Sequence, residues 1–498
     1  MAVKKDANGT EIQANFSKGM IRDVARVAIP EGAVYDSADF LLDQPGVARK
    51  RGGTSYAGPA LSGASFVIGL VHVPFAGGAQ LVAVGSNGHA FKVTSGTTTD
   101  LGALSATYYA RPFVTPGASY VVFPFGATAA QKYDGSSITT FSSATSGGGL
   151  FIGHGASYKS RVVDAFASTT NQMFFSPTPD VNAAWDTANS FIYADNPISG
   201  FAALNNALLI FSANGFERII GATPPPNSDM DRAPVAPVGC TDTRSIVTSG
   251  PYVYFANPQG VYLTNGSTPV SLTEQGGIDT YWRSLFSGYV SAAPAPSSST
   301  WTIAAGYWRG FLFVSVLNDS RVLQATLMCD VSRRAWWRLS NIKAMCYATS
   351  VDGNELYYGN ADTNRVTAMS GIFSPTSSNK NDADGTAVTP SIEFAPVGRG
   401  SSVKSYGFGR VTYDMRDSSS DNPTMAIAVK TGIEADTSTT PSESPLAETS
   451  TADRKRFSIA KDSQAVTISL TQSNASSKTE IYALEADVRS HPISKDGV

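Results

Sequence analysis

Five aspartates, Asp180, Asp186, Asp229, Asp231 and Asp279, lie on turn-rich stretches of the sequence. Paired carboxylates hydrolyse glycosidic bonds, one as general acid and the other as base or nucleophile. That chemistry needs at least two of them to converge at one mouth. Loop acids that only face water look the same in sequence. The densest basic and aromatic run is Arg333-Arg334-Ala335-Trp336-Trp337-Arg338. It has the composition for stacking on nucleic acid or on a polysaccharide. The structural alternative, which we favour, is the outer strand of a β-sheet, with tryptophans packed inward and arginines facing a neighbour. A second basic run, Arg454-Lys455-Arg456, is short and reads as solvated or salt-bridged. Cys240, Cys329 and Cys346 are odd in number and widely spaced, which fits buried thiols rather than a disulfide framework or a zinc site. His72, His89, His154 and His491 are isolated, with no HxxxH or HExxH pair.

Other catalytic signatures are absent. There is no GxSxG elbow, no GxxxxGK[ST] loop and no strand-GxGxxG-helix context. Gly147-Gly148-Gly149 has no helix after it to present a dipole to phosphate. The tract Thr178-Pro179-Asp180-Val181-Asn182-Ala183-Ala184-Trp185 resembles the Asp-box turn of sialidase-type propellers, with Asn182 where glycine is usual. Asparagine tolerates positive φ next best after glycine. The box occurs once here, whereas sialidases repeat it, and such boxes are structural turns. A lone Trp185-Asp186 after Gly153-His154 lacks the repetition of a WD40 protein. Asp352-Gly353-Asn354-Glu355 reads as a hairpin turn rather than a calcium loop. No catalytic residue, metal ligand or cofactor-binding residue is assigned, and no enzyme activity is expected.

The elements that would position any of these residues are strands. Between about residues 64 and 372 an aromatic and β-branched run meets a Gly/Asn/Asp turn and then a second such run. Leu81-Val82-Ala83-Val84 turns through Gly85-Ser86-Asn87-Gly88 into Ala90-Phe91-Lys92-Val93. Ala207 to Phe211 turns at Asn214-Gly215 into Phe216 to Ile220, and Tyr252 to Phe255 turns at Asn257 to Gly260 into Val261 to Leu263. Asn-Gly pairs favour tight hairpins. The units recur every ~40 to 50 residues, the size of a four-stranded propeller blade, giving about six or seven blades. The exception is Ile278 to Phe286, where Ile278, Trp282, Leu285 and Phe286 share one helical face.

The sequence therefore predicts an all-β fold in four parts. Residues 1–63 form an N-terminal extended arm, 64–373 an irregular β-propeller, 374–389 a low-complexity linker, and 390–498 a C-terminal antiparallel β-sandwich. The arm closes on Gly46-Val47-Ala48-Arg49-Lys50-Arg51-Gly52, whose basic residues are expected to be solvated or paired with a neighbour. Residues 434–453 read as a long polar hairpin loop, mobile in the free subunit.

Composition narrows the function. The 498 residues are 42% hydrophobic but only 15% charged, with a formal net charge of −3. Ordinary globular chains are about a quarter charged. Such a surface suits contact with other subunits, and the absence of a basic stripe argues against a dedicated nucleic-acid binder. A duct through which DNA only passes remains compatible, since each phosphate contact would add affinity. The polar residues after Met1-Ala2-Val3-Lys4-Lys5-Asp6 do not resemble a signal peptide, so cytoplasmic synthesis is expected. Apolar runs such as Phe311-Leu312-Phe313-Val314 have strand length, far below a membrane span.

The layout resembles the tail-hub, nozzle and tail-stabilising β-propeller proteins of short-tailed bacteriophages. The resemblance rests on the arm ending at Gly46 to Gly52, on Phe174-Phe175-Ser176 followed by Asp180 and Trp185, and on the block from Ile198-Ser199-Gly200-Phe201 to Phe216-Glu217-Arg218-Ile219. It continues through Gly239-Cys240 and the Tyr252 to Phe255 strand, then Asp330-Val331-Ser332 leading into Ala335-Trp336-Trp337, and a Lys/Arg-bearing C-terminal sandwich. It covers nearly the whole chain as a layout. It implies a non-enzymatic virion protein without cofactors, assembled in the host cytoplasm. Its subunits would ring the tail axis, commonly about six of them with closed symmetry, below the portal and its adaptor. The ring would extend the DNA channel, retain the genome and open at ejection, and in some members it carries fibres or a needle. The alternative is a propeller that binds or cleaves glycans at its central mouth, as a receptor-binding tail component.

Overall fold

The computed structural model describes residues 10–490 apart from 14, 45, 105–110, 125–129, 141–150, 167–170, 178–184, 187, 290–300, 377–379, 399–402, 417–422, 433–436, 448, 450, 474–475 and 477. The chain is all-β among these residues, built from consecutive four-stranded antiparallel meanders. Five meanders follow in chain order over residues 67–103, 113–140, 151–193, 198–236 and 247–271. A sixth, over 302–339, forms one end of a larger sheet. The seventh takes three strands from residues 344–368 and its fourth, Ser55–Tyr56, from near the N-terminus.

The first strands of these sheets touch in sequence. Val67–Phe75 meets Phe113–Val114, which meets Phe151–Tyr158, then Ile198–Ala203, Val247–Ser249, Thr302–Trp308 and Ala344–Thr349. Ala344–Thr349 in turn packs on Val67–Phe75, which closes the circuit. This arrangement is compatible with a propeller-like fold. Inner strands converge where there is least room, and glycine makes room. A Cβ on Gly155 would stand 2.1 Å from the Phe113 ring, and one on Gly306 2.8 Å from Tyr347 Cβ. Strands in the body of the circuit are covered on both faces. Leu208–Ser212 is buried at every position, as an apolar run without polar alternation predicts.

The hairpins follow the turn chemistry. Gly78–Gly85 pairs with His89–Val93, Leu208–Ser212 with Phe216–Ile220, and Tyr252–Asn257 with Gly260–Thr264. In the last, the Asn257 side-chain oxygen accepts the N–H groups of Gln259 and Gly260, which fixes the turn. The segment read as helical, Ile278 to Phe286, contains the short helix α2 (Asp279–Ser284), and a further one-turn helix, α1 (Leu272–Gln275), precedes it. Ser271 caps α1 by accepting the Glu274 N–H. Ile278 and Trp282 are fully buried below α2, and the Trp282 indole N–H donates to the Asn257 carbonyl at 2.9 Å.

Residues 10–56 are not one extended arm. Thr10–Gln13, Phe40–Gln44 and Val47–Lys50 join a sheet with Asp453–Ser463, Lys404–Arg416 and Lys478–Ser490. Ala33–Ala38 pairs with Ser391–Phe394, which leads to Val466–Gln472, Met425–Thr431 and Thr437–Thr439. These two sheets form the C-terminal sandwich, so it takes strands from both ends of the chain. Ala33–Ala38 also meets the outer strand Ala335–Leu339 through one parallel bridge, Ala38 to Arg338. Edge pairing with a distant segment satisfies the backbone of these early strands. Asp23 reaches α2 as well, accepting the N–H groups of Asp279 at 2.5 Å and Thr280 at 2.8 Å.

One apolar core runs through the junction. Phe40, Leu42, Val411, Tyr413, Ile427 and Leu484 of the sandwich pack with Phe313, Met328 and Trp337 of the sixth meander. The strand alternation is visible in Lys404–Arg416, where Tyr406, Val411, Tyr413 and Met415 are buried.

In the basic run at the end of the arm Lys50 and Arg51 are buried and Arg49 half-buried, so the run is not solvated, and its partners lie within the chain. Arg51 is fully enclosed. Its Nε donates to Asp39 at 2.6 Å, Nη1 donates to Asp382 at 2.7 Å and to the Gly52 carbonyl at 3.0 Å, and Nη2 donates to Asp382 at 2.8 Å and the Ser340 carbonyl at 3.0 Å. These bonds use every guanidinium donor. Lys50 is also buried and donates to the carbonyls of Lys380 and Ser476, while Arg49 pairs with Asp43. Burial opposes the Arg51 charge, but Asp39 and Asp382 outweigh it, and the pKa rises above its ordinary value. Asp382 also accepts from the N–H and hydroxyl of Thr54. The described part of the stretch read as a linker is therefore an anchor, with Lys380, Asp382 and Val388 buried. Likewise Thr437–Thr439 pairs with Met425–Thr431, and Leu446 is buried against Met425, so the described part of the 434–453 stretch is not a free loop.

Candidate functional site: the central cavity

Where the first strands converge they leave a cavity of 340 Å³, lined by His72, Arg111, Thr243, Thr248, Thr349 and apolar neighbours. Arg111 is the only formally charged residue among the described residues that line it, and no aspartate or glutamate does. Its Nη1 donates to the Ile246 carbonyl at 2.5 Å. Arg111 is exposed to the solvent of the cavity. Loss of bulk water lowers its pKa, against a small opposing effect of Cys346.

A second guanidinium lies nearby. Arg244 is buried and paired with Asp242, its Nη2 at 2.7 Å from the carboxylate. Arg244 Nη1 has no hydrogen-bond partner among the described residues. Burial pushes the Cys346 thiol up to about 12, with the fields of Arg244 and Arg111 working against it. His72, also on the lining, stacks on Tyr357 with ring centroids 6.0 Å apart, and its Nδ1 takes the Val351 N–H at 3.0 Å. An accepting Nδ1 assigns the ring proton to Nε2. Partial burial lowers the His72 pKa, only partly offset by Asp352.

The aspartates singled out from the sequence are elsewhere. Asp180 and Asn182 lie outside the described residues. Asp186 is exposed and accepts from the N–H and side chain of Asn189. Asp229 accepts the N–H groups of Thr223 and Ala222, which hold its pKa below the ordinary carboxylate value. Asp231 opens an edge strand and is exposed, and Asp279 pairs with Arg283 on α2. The four described aspartates each serve a local turn, strand or helix, and none lines the cavity.

The basic and aromatic run is an outer strand, Ala335–Leu339. Trp336 and Trp337 are fully buried on opposite faces. The Trp336 indole N–H donates to the Leu272 carbonyl at 3.0 Å. Arg333 pairs with Asp330 and Arg338 with Asp36, so both are engaged within the chain. Arg454 pairs with Glu485, Lys455 with Asp453, and the Arg456 guanidinium stands 3.3 Å from the Phe408 ring centroid. The three cysteines are buried free thiols, and Ser350 to Glu355 is a turn with Gly353 at φ 71°. Among the described residues no cluster of three or more His, Cys, Asp or Glu could hold a metal, and no helix is long and apolar enough to cross a membrane.

Asp164, on the strand Arg161–Phe166, is a strongly perturbed acid of these sheets. It is 1% exposed, and one carboxylate oxygen has no partner among the described residues. Burial raises its pKa well above the usual range, and the Ala165 N–H only partly offsets this. The folded chain then keeps a proton that the unfolded chain releases above the ordinary aspartate pKa of ~3.9, so this group costs stability as pH rises towards its folded value. Asp164→Asn is expected to melt above the parent at about pH 8, with the gain shrinking towards about pH 4. Melting curves across that range test this, and a difference independent of pH would contradict it.

No family model matches the chain, and no curated protein matches it. Among solved structures, one chain of a "Crystal Structure of Mitotic Checkpoint Complex" aligns at 9% identity with a TM-score of 0.43. The alignment covers 65% of this chain and 93% of that chain. A likeness at that level carries no weight for function.

Proposed function

We propose that the chain is a non-catalytic structural subunit of a bacteriophage tail, built as a seven-bladed propeller braced by a two-sheet sandwich. It forms a ring of about six copies that continues the DNA channel below the portal and its adaptor, retains the genome and opens at ejection. The observation that carries this reading is the double tie at the N-terminal segment. Ser55–Tyr56 completes the last four-stranded sheet, while Thr10–Gln13, Ala33–Ala38, Phe40–Gln44 and Val47–Lys50 complete the sandwich. Arg51 sits between these strands and fastens them to Asp382. Such ties between distant parts of the chain suit a ring under pressure from packed DNA. The low fraction of charged residues suits large permanent contacts between copies.

DNA passes through the lumen of the assembled ring without sequence-specific contact, and tail fibres or a needle attach to the same ring. The glycan-directed alternative gains no support from the central mouth, where the described lining supplies no carboxylate.

Light scattering on the purified chain tests the assembly step. The expected mass is a multiple of 52.3 kDa, alone or on addition of isolated portal complexes. A monomer under both conditions that binds a glycan array would overturn the reading.

A further inference from the structure

We propose that the central cavity is a binding site for a small oxyanion of the phosphate type, held by the Arg111 guanidinium where the first strands converge. Three observations carry it. The cavity has room for such an ion with some of its water, at 340 Å³. Among the described residues Arg111 is the only charged one on the lining, and its one hydrogen bond goes to the Ile246 carbonyl, which leaves further donors of its fork for a ligand. Next to Thr243 of the lining, Arg244 Nη1 is buried without a hydrogen-bond partner among the described residues, and Asp242 neutralises only one of the two guanidinium charges.

The charge balance argues for an occupant. Arg244 is matched by Asp242, so the uncompensated positive charge is that of Arg111, which is exposed to the solvent of the cavity. The guanidinium fork matches an oxyanion in bidentate geometry. Thr243 and Thr248 bring hydroxyl groups to the same lining, suited to bonding an oxyanion's remaining oxygens. An acidic loop acting on a sugar would need the opposite arrangement, so this site is separate from the glycan chemistry considered above. The inference does not depend on the tail assignment, since it concerns the single chain.

Equilibrium dialysis of the full chain against labelled inorganic phosphate, at fixed chloride and ionic strength, tests it. Saturable uptake of roughly one phosphate per chain is expected, and Arg111→Gln should weaken it at least about tenfold while circular dichroism stays unchanged. Arg456→Gln, on the sandwich, should bind as the parent does. Absence of saturable uptake by the parent, or equal uptake by Arg111→Gln, would overturn the proposal. Should Arg111→Gln misfold, crystals of the parent soaked in selenate decide the matter. An anomalous peak within hydrogen-bond distance of Arg111 supports the site, and its absence overturns it.

Discussion

Replacing Arg51 by methionine is expected to destabilise the chain by about 3–5 kcal/mol, because two buried carboxylates lose their shared partner. Asp39 and Asp382 are 1% and 6% exposed, so water does not take over from the guanidinium. The loss is large beside the ~5–15 kcal/mol of a typical domain. The charge-free triple variant Arg51→Met, Asp39→Asn, Asp382→Asn should recover much of it, since breaking a buried pair costs more than removing it. Asn is compatible at position 39, where φ is 58°. Chemical denaturation of parent, single and triple variants reads this directly. A single variant as stable as the parent would show that the cluster is not the fastening we describe.

Deleting residues 1–56 should be more severe, removing cooperative folding altogether. The truncation strips the last sheet of its outer strand and the sandwich of its N-terminal strands. It also bares edges that template aggregation and uncovers core residues such as Phe40, Leu41 and Leu42. Loss of the near-ultraviolet dichroism signal and of a monodisperse soluble species is expected. A truncated chain that stays soluble and melts sharply would mean that the N-terminal segment is dispensable decoration.

Local pattern made much of this fold legible. The Asn-Gly and Asn-to-Gly turns at 214–215 and 257–260 lie between the strands they were expected to join. The helical face of Ile278, Trp282, Leu285 and Phe286 is the buried face of α2 and its flanks. Trp336 and Trp337 also went inward, as adjacent strand residues pointing to opposite faces do. What stayed hidden were partners far away in sequence. Phe40–Gln44 and Val47–Lys50 read equally well as strands of an arm or of a sheet, and period-two alternation does not name the neighbour. Arg49-Lys50-Arg51 read as solvated or paired with a neighbour; Asp39 and Asp43 lie close in sequence, but burial of Arg51 depends also on Asp382, 331 positions away. The cavity was harder still. Arg111 stands alone in sequence, and only closure of the circuit brings Thr243, Thr248 and Thr349 to the same space. A lone arginine before a proline offers no signal of that kind.

The central claim is that this chain is an axial structural component of a tail. Electron microscopy of the purified protein mixed with isolated portal or tail complexes tests it most directly. The account predicts a ring of the protein seated on the tail axis, with an open lumen continuous with the portal channel. Particles that leave the axis bare, with the protein free as single propellers or bound at peripheral fibres, would contradict it.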